Sequence, residues 1–255
     1  MNKKVSIILS GILALIIVLV WFVFKDKNNE TVENNYIILG NNTYWLNNGE
    51  KWSHEYATNW NEANKLIVYV DDIYQGVYNA EYINSWNFMD DENNYLNYEE
   101  RILATSSNFI NNVKKIKSAD ILQEDIDYIN KLTSNNYTLE DISGIFLEKY
   151  LVDLNDDGID EYIISVNNLL EEEKDTYFNL IYANIDNNIN IILNENIQAK
   201  DAHLKPTYYL YSVIKLNDIK TPNIIFKEAF YSTANKPKFV MYQMIGQKYQ
   251  VVIED

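Results

Sequence analysis

From Tyr36 to about Ser106 the chain alternates short apolar runs, YIILG, TYWL, KLIVYV and GVYNAEYI, with turn-like groups such as Asn47-Asn48-Gly49 and Asp71-Asp72. Apolar runs of this length bounded by Asn, Asp and Gly predict short antiparallel strands. Between Ser107 and Asp141 the period changes: Ile121, Leu122, Ile126, Ile129 and Leu132 recur at helical spacing behind Ser118, a capping candidate. Thr138 followed by Asp141 predicts a second, short helical turn. Strand patterning then resumes.

The last portion repeats itself. Four predicted strands, 145–152, 161–166, 176–185 and 189–193, are followed by four more, 208–216, 223–230, 237–245 and 248–253, offset by about sixty residues at each step. Leu154-Asn155-Asp156 after the first strand matches Leu216-Asn217-Asp218 after the fifth, while Asp186-Asn187-Asn188 and Gly246-Gln247 read as tight hairpin turns. Each unit is expected to be a four-stranded antiparallel meander. Such a sheet cannot cover its own apolar face, so the two must pack on each other or on the preceding helix and β region.

At the other end, VSIILSGILALIIVLVWFVF runs from Val5 to Phe24 without a charge, long enough for one transmembrane helix. Lys3 and Lys4 place its start in the cytoplasm, although Lys25 and Lys27 on the far side reduce the asymmetry. A cleaved signal peptide is the competing reading. The run exceeds a usual signal-peptide core and no small-x-small cleavage site follows, so an uncleaved signal anchor is expected. Ile12 stands where a lipoprotein would need its lipidated cysteine, which excludes that form of anchoring.

The expected organisation is a cytoplasmic tip and transmembrane anchor over 1–27, a polar spacer over 28–35, a β-rich region over 36–106, a helical connector over 107–141, and two blade-like four-stranded repeats over 142–255. This is a mainly β protein with a helical insert, in the α+β class, held to the cell membrane by a single pass with its C-terminal domain extracytoplasmic.

Composition narrows the chemistry. There is no cysteine, so neither disulfides nor thiolates contribute. The net charge is −16, and because Lys3, Lys4, Lys25 and Lys27 against Asp26 give the first 27 residues +3, the remainder carries −19. That surface repels phosphate backbones, and with Arg101 as the only arginine, nucleic-acid binding is excluded. Abundant Asn, Ile, Tyr and Lys fit an AT-rich genome, which gives the asparagines a compositional explanation.

The stretch VDLNDDGIDEYIIS interrupts an apolar, β-prone run with acidic and amide side chains. Counting from Asp153 as position one, Asn155 is at three, Asp157 at five, the carbonyl of Ile159 at seven and Glu161 at nine, with Gly158 at six where the chain must turn. This spacing converges hard oxygen ligands, as Ca2+ requires. It is not an EF-hand, because position twelve is Ile164 and the flank reads as strand. The residues resemble the calcium loops of FG-GAP and VCBS repeats, the blade motif of integrin-type β-propellers, D-x-N-x-D-G-x-x-D/E ahead of a strand. The resemblance implies that Asp153, Asn155, Asp157 and Glu161 ligate the ion through side chains and Ile159 through its backbone, bracing the loop. The second unit has Lys215 in place of Asp153 and no Asp-Gly pair, so its loop is expected to bind no calcium, and two units are too few to close a propeller.

Catalytic signals are weaker. His54 and His203 show no ligand spacing, Ser212-Val213-Ile214-Lys215 matches S-x-x-K without its companion motifs, and acidic pairs such as Asp71-Asp72 and Asp90-Asp91 occupy predicted turns. No enzyme is expected. Trp45, Trp52, Trp60 and Trp86 could offer a platform to sugar or peptide, but filling a β core is their commoner use. The expectation is a membrane-anchored, calcium-binding extracytoplasmic module that binds or scaffolds at the cell surface, with a cell-surface protein or cell-wall glycan as partner. The alternative is a cell-envelope glycan-binding protein or hydrolase.

Overall fold

Most of the seventeen strands among the described residues follow from the apolar runs, and their pairing is decided by which faces and edges need cover. The computed structural model describes residues 34–40, 43–49, 51–60, 65–97, 101–106, 109–140, 142, 144–171, 174–217, 219, 221–230 and 238–255. The Val5 to Phe24 run lies outside the described residues, and among those described no helix is long and apolar enough to cross a membrane.

The first strands are β1 (Asn35–Leu39), β2 (Thr43–Asn47), β3 (Trp52–Tyr56), β4 (Lys65–Val70), β5 (Ile73–Ile83), β6 (Ser85–Met89) and β7 (Ile102–Ser106). They form an N-terminal sheet in the order β3-β2-β1-β7-β4-β5-β6, with β7 inserted between β1 and β4. One face of this sheet buries Tyr36, Ile38, Leu66, Val68, Trp86 and Phe88 in a core of its own. The opposite face buries Ile37, Leu39, Trp45 and Leu103.

Next come β8 (Ile110–Lys114), β9 (Lys117–Ala119) and α1 (Gln123–Thr133). The helix is shorter than the sequence pattern predicts and starts later. Ser118 does not cap it but pairs with Tyr150 inside β9. The residue ahead of the helix is Leu122, which has no side-chain oxygen, and its backbone N–H instead donates to the Asp125 carboxylate at 2.8 Å. Ser134, at φ 58°, ends the helix, and Leu139 and Glu140 form a turn where a second helical segment was expected.

The remaining strands are β10 (Phe146–Val152), β11 (Glu161–Asn167), β12 (Thr176–Ile185), β13 (Asn188–Gln198), β14 (Thr207–Leu216), β15 (Asn223–Ala229), β16 (Lys238–Ile245) and β17 (Lys248–Glu254). The expectation of two blade-like repeats needs correction. Each meander takes a fifth strand from the preceding segment, giving an outer sheet β13-β12-β11-β10-β9 and a middle sheet β17-β16-β15-β14-β8. These are the layers of a stacked β structure and not the blades of a propeller. The cause is uncovered surface: a meander alone leaves an apolar face and an unpaired edge.

Packing follows from the faces. Tyr150, Val152, Ile163 and Ile181 of the outer sheet meet Leu210, Val213, Ile224, Phe226 and Val240 of the middle sheet. On its other face the middle sheet sets Tyr211, Ile214, Ile225 and Met241 against the N-terminal sheet. The outer sheet's second face, with Ile164, Val166, Phe178 and Leu180, is covered by Ile126 and Ile129 of α1. Strands covered on both sides lose strict alternation, which is why β11, β12, β14 and β15 read as continuous apolar runs.

Candidate metal centre

In an antiparallel meander, alternate connections lie at the same end. The β10–β11 loop and the β12–β13 hairpin therefore sit side by side at one end of the outer sheet. The hairpin is tight because Ile185 pairs with Asn188, leaving Asp186 and Asn187 as its two central residues at φ 51° and 60°. Asp and Asn tolerate this left-handed geometry better than most residues. The β10–β11 loop turns through Asp156 at φ 67° and Gly158 at φ 85°.

The loop is organised by its own side chains. Asp153 accepts hydrogen bonds from the N–H groups of Asp156 and Gly158 at 2.8 and 3.2 Å, Asn155 from that of Asp157 at 3.0 Å, and Asp157 from that of Ile159 at 2.7 Å. Glu161, at the start of β11, is buried and accepts from the Leu154 N–H at 2.6 Å. The amide of Asn155 donates to the carboxylates of both Asp157 and Asp186 at 3.2 Å, tying the loop to the hairpin. The side chain of Ile159 points to solvent.

Carboxylate oxygens of Asp157, Glu161 and Asp186 lie within 4.8 Å of one another. Two of these residues belong to the set expected from sequence. The third, Asp186, sits where the sequence predicts only a hairpin turn, and the placing of that hairpin beside the loop reveals it. Burial holds the Glu161 carboxyl above its usual range, and the charges of Asp157, Asp153 and Asp186 push the same way. Protons would therefore compete with any cation for this cluster.

Lysines divide the loop's charges into two groups. Lys114 of β8 and Lys215 of β14 both bond to Asp156, Lys114 also approaches Asp153 at 4.0 Å, and Lys117 of β9 pairs with Asp160. The lysines hold the Asp156 carboxyl below its usual range. Among the described residues no ion pair reaches Asp157, Glu161 or Asp186. Lys215, which marks the second unit's loop as degenerate, thus crosses between sheets to brace the intact loop of the first. Asp153 is already occupied by two N–H groups and lies near Lys114, so it shapes the loop at least as much as it could ligate.

Other sequence candidates stay apart. His54 lies on β3, with Nε2 3.8 Å from Asp255, and His203 lies in a short 3-10 turn, Ala199–Leu204. Ser212 is buried among Tyr69, Asp72 and Arg101, while Lys215 turns toward Asp156, so the S-x-x-K residues do not meet. Trp45 and Trp86 are core residues, and the Trp60 indole donates to the Ala80 carbonyl at 3.1 Å. No known protein family, curated protein or solved structure matches the chain.

Proposed function

We propose that the chain is a membrane-anchored, extracytoplasmic β protein that binds Ca2+ at the β10–β11 loop and acts as a binding or scaffolding module at the cell surface. The observation that carries this reading is the convergence of Asp157, Glu161 and Asp186 with no ion-pair partner among the described residues, in a loop whose other carboxylates already have lysine partners. Like charges held this close favour a hard divalent ion, and calcium's tolerance of irregular oxygen ligands suits a site drawn from a loop and a hairpin. Asn155 and the Ile159 carbonyl complete the set we propose. The likeness of VDLNDDGIDEYIIS to FG-GAP and VCBS loops supports the ion assignment, while the stacked sheets argue against a propeller role.

Calcium bound only by the native loop stabilises it by RT ln(1 + [L]/Kd), about 0.5–1.5 kcal/mol at millimolar calcium for a Kd of about 10⁻⁴–10⁻³ M. The full chain is expected to melt higher in calcium than in chelator, with magnesium a poor substitute. Asp157→Ala should abolish the difference and Asp160→Asn, at a lysine-paired position, should retain it. An equal calcium response in wild type and Asp157→Ala rules out the loop as the site.

The anchor is tested separately. Protease added to intact protoplasts is expected to digest the chain beyond Asn35 and leave a small embedded stub. Full protection would reverse the orientation, and recovery of an intact soluble form would favour cleavage.

A further inference from the structure

Beside the carboxylates the outer and middle sheets part into an open cleft of about 380 Å³, within the size range of small-molecule sites. The β10–β11 loop contributes Leu154 and Asn155, the β12–β13 hairpin contributes Ile185 and Asp186, and the turn ahead of β15 contributes Thr221 and Pro222. Met244 and Tyr249, cross-strand partners in the β16–β17 hairpin, also line it. Asp186 belongs to both the cleft and the carboxylate cluster, and Asn155, also on the cleft, donates to its carboxylate. A molecule in the cleft therefore meets whatever ion the cluster holds.

The lining selects a chemistry. None of the described lining residues is a lysine or arginine, so this lining offers a phosphate or carboxylate no counter-charge of its own. Asn188 and Asn190 donate their amide hydrogens to the backbone oxygens of Asp186 and Asn188, both at 3.0 Å. Their side-chain carbonyls remain as acceptors, which a hydroxyl can satisfy. Tyr249 is more than nine-tenths buried, and its hydroxyl has no hydrogen-bond partner among the described residues. The flexible Met244 beside it can move to admit an oxygen-bearing group. Leu154, Ile185 and Pro222 supply apolar surface for C–H groups. Hydroxyls on one side and C–H groups on the other describe a sugar ring.

We infer that this cleft binds a neutral, polyhydroxylated ligand, a hexose ring either free or at the end of a glycan, with two adjacent hydroxyls entering the coordination shell of the calcium ion. This rests on the calcium reading above. Calcium takes six to eight oxygen ligands, more than three carboxylates, Asn155 and a loop carbonyl supply in monodentate form, so ligand oxygens have positions to fill.

The test uses the full chain in detergent, with calcium binding followed by calorimetry and sugar binding by saturation-transfer NMR. The probes are methyl glycosides of mannose, glucose and galactose, which present adjacent hydroxyls in different arrangements. Transfer to at least one is expected in calcium and should vanish in chelator. Tyr249→Phe should weaken that binding about threefold to tenfold, the loss of one hydrogen bond, with calcium affinity unchanged. Capture on insoluble cell-wall glycan that the free glycoside reverses identifies a terminal ring as the source, whereas binding of the free sugar alone identifies a soluble ligand. Calcium binding without transfer to any of the three glycosides overturns the cleft inference and leaves the ion site standing. Transfer that persists in chelator overturns the metal bridge, and failure to bind calcium sinks both readings.

Discussion

Replacing Lys149 with methionine is expected to destabilise the folded unit by about 3–5 kcal/mol, because it strands a buried carboxylate. Lys149 and Asp125 form an ion pair between β10 and α1 at 2.7 and 2.9 Å, with both side chains buried. The Lys149 ammonium also lies 4.6 Å from the centre of the Tyr162 ring, and Asp125 holds the Leu122 N–H that opens the helix. With the lysine gone, the Asp125 carboxylate is left buried without its counter-charge. The double variant Lys149→Met with Asp125→Asn removes both charges and keeps an oxygen for the Leu122 N–H. It should recover most of the loss in urea-midpoint measurements. A single variant as stable as wild type would mean that water reaches the pair and that α1 is not held as described.

The second large effect is a pH dependence centred on Glu228. This carboxyl sits buried at the end of β15, paired across strands with Tyr208 and Lys238. Burial and the neighbouring Glu254 raise its pKa from 4.5 to about 7, outweighing the Lys238 charge and a hydrogen bond from Tyr208. A raised folded-state value means that the native protein holds the proton more tightly than the unfolded chain. The stabilisation is complete below about pH 4.5 and is lost as pH rises through 7, a change on the order of 3 kcal/mol. Glu228→Gln mimics the protonated form at every pH. It should match wild type near pH 4.5 and exceed its stability by about 3 kcal/mol at pH 8. A difference between the two that does not change with pH would show that Glu228 ionises freely in the fold.

Much of this architecture was legible in the chain because strand patterning survives wherever a sheet has a covered face and tight turns. β12 occupies the expected 176–185, and Asp186 and Asn187 adopt the positive φ that a two-residue hairpin demands. β8 and β9 were not legible. Asn112, Lys114, Lys117 and Ser118 leave too few apolar positions for a period to show, and these strands exist because two meanders offered unpaired edges. The insertion of β7 between β1 and β4 was equally hidden, since Leu39 pairs with Leu103 and Val70 with Ile102, partners too far apart in sequence to leave a local trace. In the ion site, the spacing from Asp153 to Glu161 exposed the loop because the candidate ligands are neighbours in sequence. Asp186 is brought in by the meander, and counting along one loop cannot reach it. Trp45 and Trp86 are buried, and Trp60 packs beside Trp86, because large aromatic rings fill a β core, as the edge-on contacts of Trp60 with Tyr36, Tyr44 and Trp86 show.

Arg101 lies where the N-terminal and middle sheets meet. Its guanidinium bonds to Asp71, to Asp72 and to the carbonyl of Tyr211, and the Tyr211 hydroxyl in turn engages both the N–H and the carbonyl of Ile102. The bond between residues 101 and 102 is the only arginyl peptide bond in the sequence, and it is clamped on both sides. An arginine-specific protease has a single place to cut, and can cut there only in molecules whose two sheets have come apart. Its rate under native conditions is therefore a clock for the opening of that seam.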